Sequence, residues 1–243
     1  NLERFGLMIR NSENAAYNYH KQMVGSGSAW STSDGQQMLW DAERTPVTMI
    51  AYAPYMSEAA PDASLAVNAL TNQATEENVK SSDFLLMKAT VDPEQDLTAD
   101  GKLKISLSHA MSKLIIKITV NGTTDAAMNK LGDMSINGAV VNGICDLSAT
   151  VPMVVPAPDA VVATVAPYKG TESCECILPP QKIAEGFSVN FSYDGKLYIW
   201  TAKEAIELEK GVEHTLTLNV NTTVRLASKM ARNWATGQLI DRN

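Results

Sequence analysis

The sequence predicts an all-β protein of two antiparallel β-sandwich domains, and three observations carry that reading. Period-2 alternation of apolar and polar residues recurs along the chain, most clearly over residues 102–120 and 187–201. Turn chemistry separates roughly a dozen short apolar runs, at the spacing usual for sandwich strands. Amphipathic helical periodicity is almost absent.

Taken in order, Phe5-Gly6-Leu7-Met8-Ile9 opens the chain as a strand, and Tyr17-Asn18-Tyr19 is the candidate second. Gly25-Ser26-Gly27-Ser28 makes a flexible turn, followed by Trp30 and then Met38-Leu39-Trp40. Val47-Thr48-Met49-Ile50-Ala51-Tyr52 is a strand stopped at Pro54, because proline cannot donate to a ladder. Residues 56–82 are polar and rich in Ala, Asn, Thr and Glu, so they read as a long connection with one short helix. Residues 84–87 form a short buried strand. Asp92-Pro93-Glu94-Gln95-Asp96 to Asp100-Gly101 is acidic, proline-bearing and poor in apolar residues, which makes it the linker.

Beyond the linker, Leu103, Ile105 and Leu107 alternate with Lys102, Lys104, Ser106 and Ser108. After residues 109–113 the alternation resumes with Leu114, Ile116, Ile118 and Val120, so two amphipathic strands are expected here. Short strands follow around 134–136 and 140–147, then an Ala/Val/Pro stretch over 151–167, then a strand over 174–178 ended by Pro179-Pro180. Phe187, Val189, Phe191 and Tyr193 alternate up to Asp194-Gly195, and residues 197–201 return; this is a two-residue hairpin with a type I′ turn. Leu216, Leu218 and Val220 mark the last strong strand. The acidic break places one domain over 1–98 and a second, with a tail, over 99–243; a single large sandwich is the alternative.

Composition narrows the function classes. A net charge of −7 and a pI near 5.0 argue against nucleic acid, whose phosphates need a basic surface. No apolar run approaches the roughly 18 residues of a membrane span. The chain starts at Asn1 without an initiator Met, so an N-terminal segment is expected to have been removed or left out, and a signal peptide lies outside this reading. Cys174 and Cys176 are two apart in a strand and share a face, which suits buried thiols better than a mutual bridge. A disulfide from Cys145 to either one and a metal site short of a fourth ligand are the lesser alternatives.

Motifs for chemistry are mostly lacking. His20, His109 and His214 have no HxH or HExxH partners, so no metal centre is predicted, and a packing role for His109 outweighs that of a catalytic base. Asp92-x-Glu94-x-Asp96 fails as a calcium loop, with Leu97 at the sixth position and Leu103 at the twelfth. GxGxxG, P-loop and GxSxG patterns do not occur, so no cofactor and no enzyme are expected. Trp30, Trp40, Trp200 and Trp234 could make a sugar platform, but scattered as they are they suit packing better.

Several motifs together resemble the fimbrillin-like family of Bacteroidales. The most specific is Ile105-Ser106-Leu107-Ser108-His109-Ala110-Met111-Ser112-Lys113-Leu114. Trp40 followed by a strand ending Ala51-Tyr52-Ala53-Pro54, then Asp83-Phe84-Leu85-Leu86, Pro179-Pro180-Gln181 and Trp234 stand in the family's order. Gly211-x-x-His214 departs from the family's Gly-x-x-Tyr. The resemblance implies two transthyretin-like sandwiches and a non-enzymatic surface protein, exported as a lipoprotein to the outer membrane or fimbrium. It implies a pilus subunit or tip adhesin whose partners are other fimbrial subunits, joined by strand addition, and host or bacterial surface ligands. A surface carbohydrate- or protein-binding lipoprotein that never polymerises is the alternative. The resemblance also makes Arg4 and Arg10, flanking the first strand, candidate processing sites. If a terminal strand is exchanged, the candidates are Phe5–Ile9 and the tail over 222–243 with Trp234, a tail that either folds back on its own domain or fills a neighbour's groove.

Overall fold

In the computed structural model, residues 2–26, 29–123, 128–221, 230–232 and 237–242 are described. The molecule is all-β and divides into two compact units, each assembled from three stretches of chain. The first comprises Asn1–Leu65, Phe84–Ala110 and Cys145–Met153; the second comprises Ala66–Asp83, Met111–Ile144 and Val154–Asn243. The acidic stretch 92–101 lies inside a segment of the first unit. There Asp92 accepts hydrogen bonds from Glu94 and Gln95, and Asp96 accepts one from the Asp92 N–H, so the carboxylates tie off a turn.

The chain forms β1 (Arg4–Arg10), β2 (Tyr19–Ser26), β3 (Ala29–Thr32), β4 (Val47–Ala53), β5 (Ser64–Asn68), the helix α1 (Glu76–Ser81), β6 (Leu85–Val91) and β7 (Ser108–His109). The first unit's sheet has the order β3-β2-β1-β4-β6-β7. Phe5, Leu7 and Ile9 point to one face and join Met23, Val47, Met49, Ala51 and Val91 in a core. β4 ends as expected before Pro54, which follows a cis peptide bond.

Three expectations are corrected here. Residues 102–108 do not form a full strand: Ser108–His109 pairs with Leu86 and Leu85, and Leu103 makes one isolated bridge to Leu97. Leu103, Ile105 and Leu107 are half-buried against the first core while their neighbours face water. Alternation reports one buried face, and an extended segment laid across a core satisfies it without a ladder. Secondly, residues 15–17 form a 3₁₀ turn, with the Asn14 side chain capping Ala16, and the second strand starts only at Tyr19. Finally, residues 56–82 hold β5 as well as α1, whose start is fixed by Thr75 capping Asn78 and by Glu76 and Glu77 in its first turn.

The chain continues through β8 (Ser112–Val120), β9 (Leu131–Val140), β10 (Asn142–Asp146), β11 (Val154–Pro156), β12 (Val162–Val165), β13 (Tyr168–Lys169), β14 (Cys174–Leu178) and β15 (Gln181–Ile183). It closes with β16 (Ser188–Tyr193), β17 (Lys196–Ala202), β18 (Ile206–Leu208), β19 (Glu213–Val220), β20 (Met230–Arg232) and β21 (Gly237–Arg242). The second unit has a six-stranded sheet, β12-β9-β16-β17-β21-β20, and a four-stranded one, β13-β14-β8-β19. Within it Ile116, Ile136, Val189, Trp200, Leu218 and Val220 are sealed from solvent. The β16–β17 hairpin turns at Asp194 and Gly195, both with positive φ (51° and 77°), as a type I′ turn requires. β8 and β19 run parallel.

Candidate functional site

β1 is a central strand. It pairs antiparallel with β2 over six positions and with β4 over five, so it is laddered on both edges. A continuous apolar run is the pattern of a strand buried on both faces, and that signal was present in Phe5-Gly6-Leu7-Met8-Ile9. Met8 is fully buried on the face opposite Phe5, Leu7 and Ile9. Beside it, Gly6 lies under the buried ring of Tyr52. The Tyr52 hydroxyl donates to the Met56 carbonyl and meets His20 Nε2, each at 2.8 Å, which pins the ring over the strand. Burial pushes the Tyr52 phenol up to about 12 and lowers the pKa of His20 below its ordinary value.

Arg4 and Arg10 are the first and last residues of β1, both exposed. The strand holds them roughly 20 Å apart at about 3.4 Å per residue, so they are separate candidates and not one site. Arg10 lies 3.6 Å from Asp62, an ion pair open to solvent and of little weight. Immediately after it, Asn11 anchors the turn: its Oδ1 accepts from the N–H of Glu13 and Asn14, and its Nδ2 donates to Asp41. Hydrogen bonds from Thr45, then from Asn11, hold the Asp41 carboxyl below the usual carboxylate range. Sequence reasoning missed this lock, since nothing local ties Asn11 to Asp41.

The tail is described in its two strands. β21 pairs antiparallel with β17 over six positions and β20 pairs with β21, so these strands dock at the edge of the second unit's six-stranded sheet. Trp234 lies outside the described residues.

The other candidates resolve into structure. Trp30 packs edge-on against Phe5 at 4.8 Å, Trp40 donates to the Thr45 carbonyl, and Trp200 is fully buried, so each of these three has a packing or hydrogen-bonding role. His214 Nε2 accepts the Glu209 N–H at 2.9 Å and closes a turn. His109 is exposed in β7. Cys145, Cys174 and Cys176 are buried and in no disulfide, and burial pushes Cys174 up to about 11 and Cys176 still higher. Among the described residues no group of three or more His, Cys, Asp or Glu is placed to hold a metal, and no helix is long and apolar enough to cross a membrane.

Comparison with known proteins supplies the context. The fold matches a candidate cell adhesion protein of Bacteroides uniformis with a TM-score of 0.71 at 15% identity, covering 99% of this chain and 90% of that one. A candidate cell adhesion protein of Bacteroides ovatus matches with a TM-score of 0.65 at 17% identity, covering 99% of this chain and 86% of that one. A fimbrial protein of Bacteroides ovatus matches with a TM-score of 0.54 at 15% identity, where the match covers 98% of this chain but 48% of the other. No curated protein matches the sequence. The fimbrillin-like family model matches residues 3–234, nearly the whole chain, and the protein therefore belongs to the fimbrillin-like family.

Proposed function

We propose that this protein is a non-enzymatic cell-surface fimbrial subunit or tip adhesin that assembles by β-strand exchange at the outer membrane, as a lipoprotein. The observation that carries the reading is the place of β1. A strand near one end of the chain fills the middle of a sheet, with ladders on both sides and Phe5, Leu7 and Ile9 in the core. Its removal would open a slot with two unpaired strand edges and an apolar floor, which is what an incoming strand needs. Such a slot cannot stay empty in water, because each vacated apolar position is worth about 1.5–3 kcal/mol when refilled.

Of the two processing candidates we favour Arg10. A cut after Arg4 leaves Phe5–Ile9 covalently attached and the sheet intact, whereas a cut after Arg10 frees the whole strand. Mass spectrometry of the N terminus of surface-assembled protein tests this: a start at Asn11 that Arg10→Ala abolishes is expected. A start at Phe5, or assembly of an uncut chain, contradicts it.

The partners that follow are other subunits of the same fibre, together with host or bacterial surface ligands. The donor segment we propose is the tail over 222–243, including Trp234. Among the described residues its β21 is laddered to β17 on one side and to β20 on the other. A second reading, a surface carbohydrate- or protein-binding module that never polymerises, is favoured by one observation: both β1 and the tail's β21 are already paired within their own chain.

A further inference from the structure

The first unit holds a cleft of about 170 Å³ beside β1. Its walls are Leu7, Ile9, Met38, Met49, Leu103 and Ile105. The polar side chains in the lining are almost all spent on one another. Asn11 donates to Asp41 at 2.7 Å, Asp41 accepts the Thr45 N–H at 2.8 Å, and Trp40 Nε1 donates to the Thr45 carbonyl at 3.0 Å. Among the described residues, Tyr17 is the lining residue whose hydroxyl has no such bond.

We propose that this cleft binds a small uncharged aromatic molecule, of benzene to indole size, with at most one hydrogen-bonding group. Volume sets the size, since an apolar cavity of about 150 Å³ stays dry and takes up benzene. The spent polar groups exclude an ion, which would lose its hydration without gaining a partner. Two features favour an aromatic ring over an aliphatic chain: thioethers of Met38 and Met49 suit ring contacts, and Trp40 offers a further ring. Residues 38–41 and 97–105, which form two of the walls, lie outside the long ladders, so they part without breaking the sheet. The inference concerns the chain with β1 in place, because Leu7 and Ile9 form part of the wall, and the uncut chain is the form tested.

The test is a titration of the full chain, labelled at its methionine methyls, with indole as the probe. Saturable shifts of the Met38 and Met49 methyls are expected, with Met134 of the second unit unmoved. Ile105→Trp, which fills the cleft, should weaken binding by about tenfold or more, equivalent to roughly 1.4 kcal/mol. Leu103→Phe is a second filler with the same expected result, and an unchanged signal from Met8, buried in the first unit on the β1 face opposite Leu7 and Ile9, certifies that each variant is folded. Benzoate, a charged ring of similar size, should leave the methyls unmoved. The inference is overturned if shifts grow linearly without saturating, if Met134 moves equally, if both fillers bind like the parent, or if benzoate binds as tightly as indole.

Discussion

At Gly6, an added Cβ would stand 2.3 Å from Cζ of Tyr52 and 2.7 Å from its hydroxyl oxygen. The ring is fully buried and held by Met56 and His20, so it cannot swing aside. We expect Gly6→Ala to cost about 1–3 kcal/mol, the usual range for overpacking, read as a lower urea midpoint at unchanged slope. His20 adds a pH dependence. Its folded pKa is lowered by burial, so the unfolded chain binds the proton more readily and the folded state is favoured by a neutral ring. That contribution is present above the unfolded value near 6.5 and is lost as pH falls through the lowered folded value. Between pH 7 and 5 the parent should therefore lose more stability than His20→Gln, measured as the difference between their melting curves. Equal losses would remove His20 from the explanation. Neither effect is visible in sequence, because both depend on which residue β4 brings across from β1.

At the scale of elements, the sequence signalled faces better than ladders. The hairpin at Asp194-Gly195 was fully legible, since the turn residues and flanking alternation both act locally. The core strand Phe5–Ile9 was equally legible from its composition, though not its central position, which depends on where β2 and β4 arrive. Residues 102–108 show the limit. Their alternation gave the correct buried face, but a ladder also needs a neighbouring edge, and pairing here amounts to Ser108–His109 and one isolated bridge from Leu103 to Leu97. β5 was missed because its Ser64–Asn68 sequence puts only Leu65 and Val67 inward, too short a pattern to stand out in a polar stretch. Amide exchange separates the two kinds of extended chain. The amides of residues 104–107 should exchange close to the rate of exposed loops, while those of Leu7 and Met8, laddered in mid-sheet, should be protected near the global limit. Comparable protection in both would mean that 104–107 is paired in solution.

For the whole molecule, the boundary at residue 98 and the interleaved units make opposite forecasts. A division at 98 remains a proposal, and it implies that a nick within 92–101 releases two separable folded pieces. In the structure each unit draws on three chain segments, and residues 84–110 and 145–153 share one unit. On that arrangement, limited proteolysis within 92–101 followed by gel filtration should give two fragments that co-elute until denaturant is added. Separation in native buffer would favour the division at 98. The acidic, proline-bearing composition that marked this stretch reports a solvated turn equally well, and sequence alone does not distinguish a turn within a unit from a join between two.

Strand exchange is tested most directly by sedimentation of the chain beginning at Asn11, with and without residues 222–243. Removing β1 should leave a chain that associates into concentration-dependent polymers, and excess Arg4–Arg10 peptide should block the association by refilling the slot. Deleting residues 222–243 should leave a folded core with β17 as the new sheet edge, and it should abolish polymer formation. A chain lacking β1 that remains monomeric, or one that polymerises equally well without its tail, would contradict assembly by exchange of these strands.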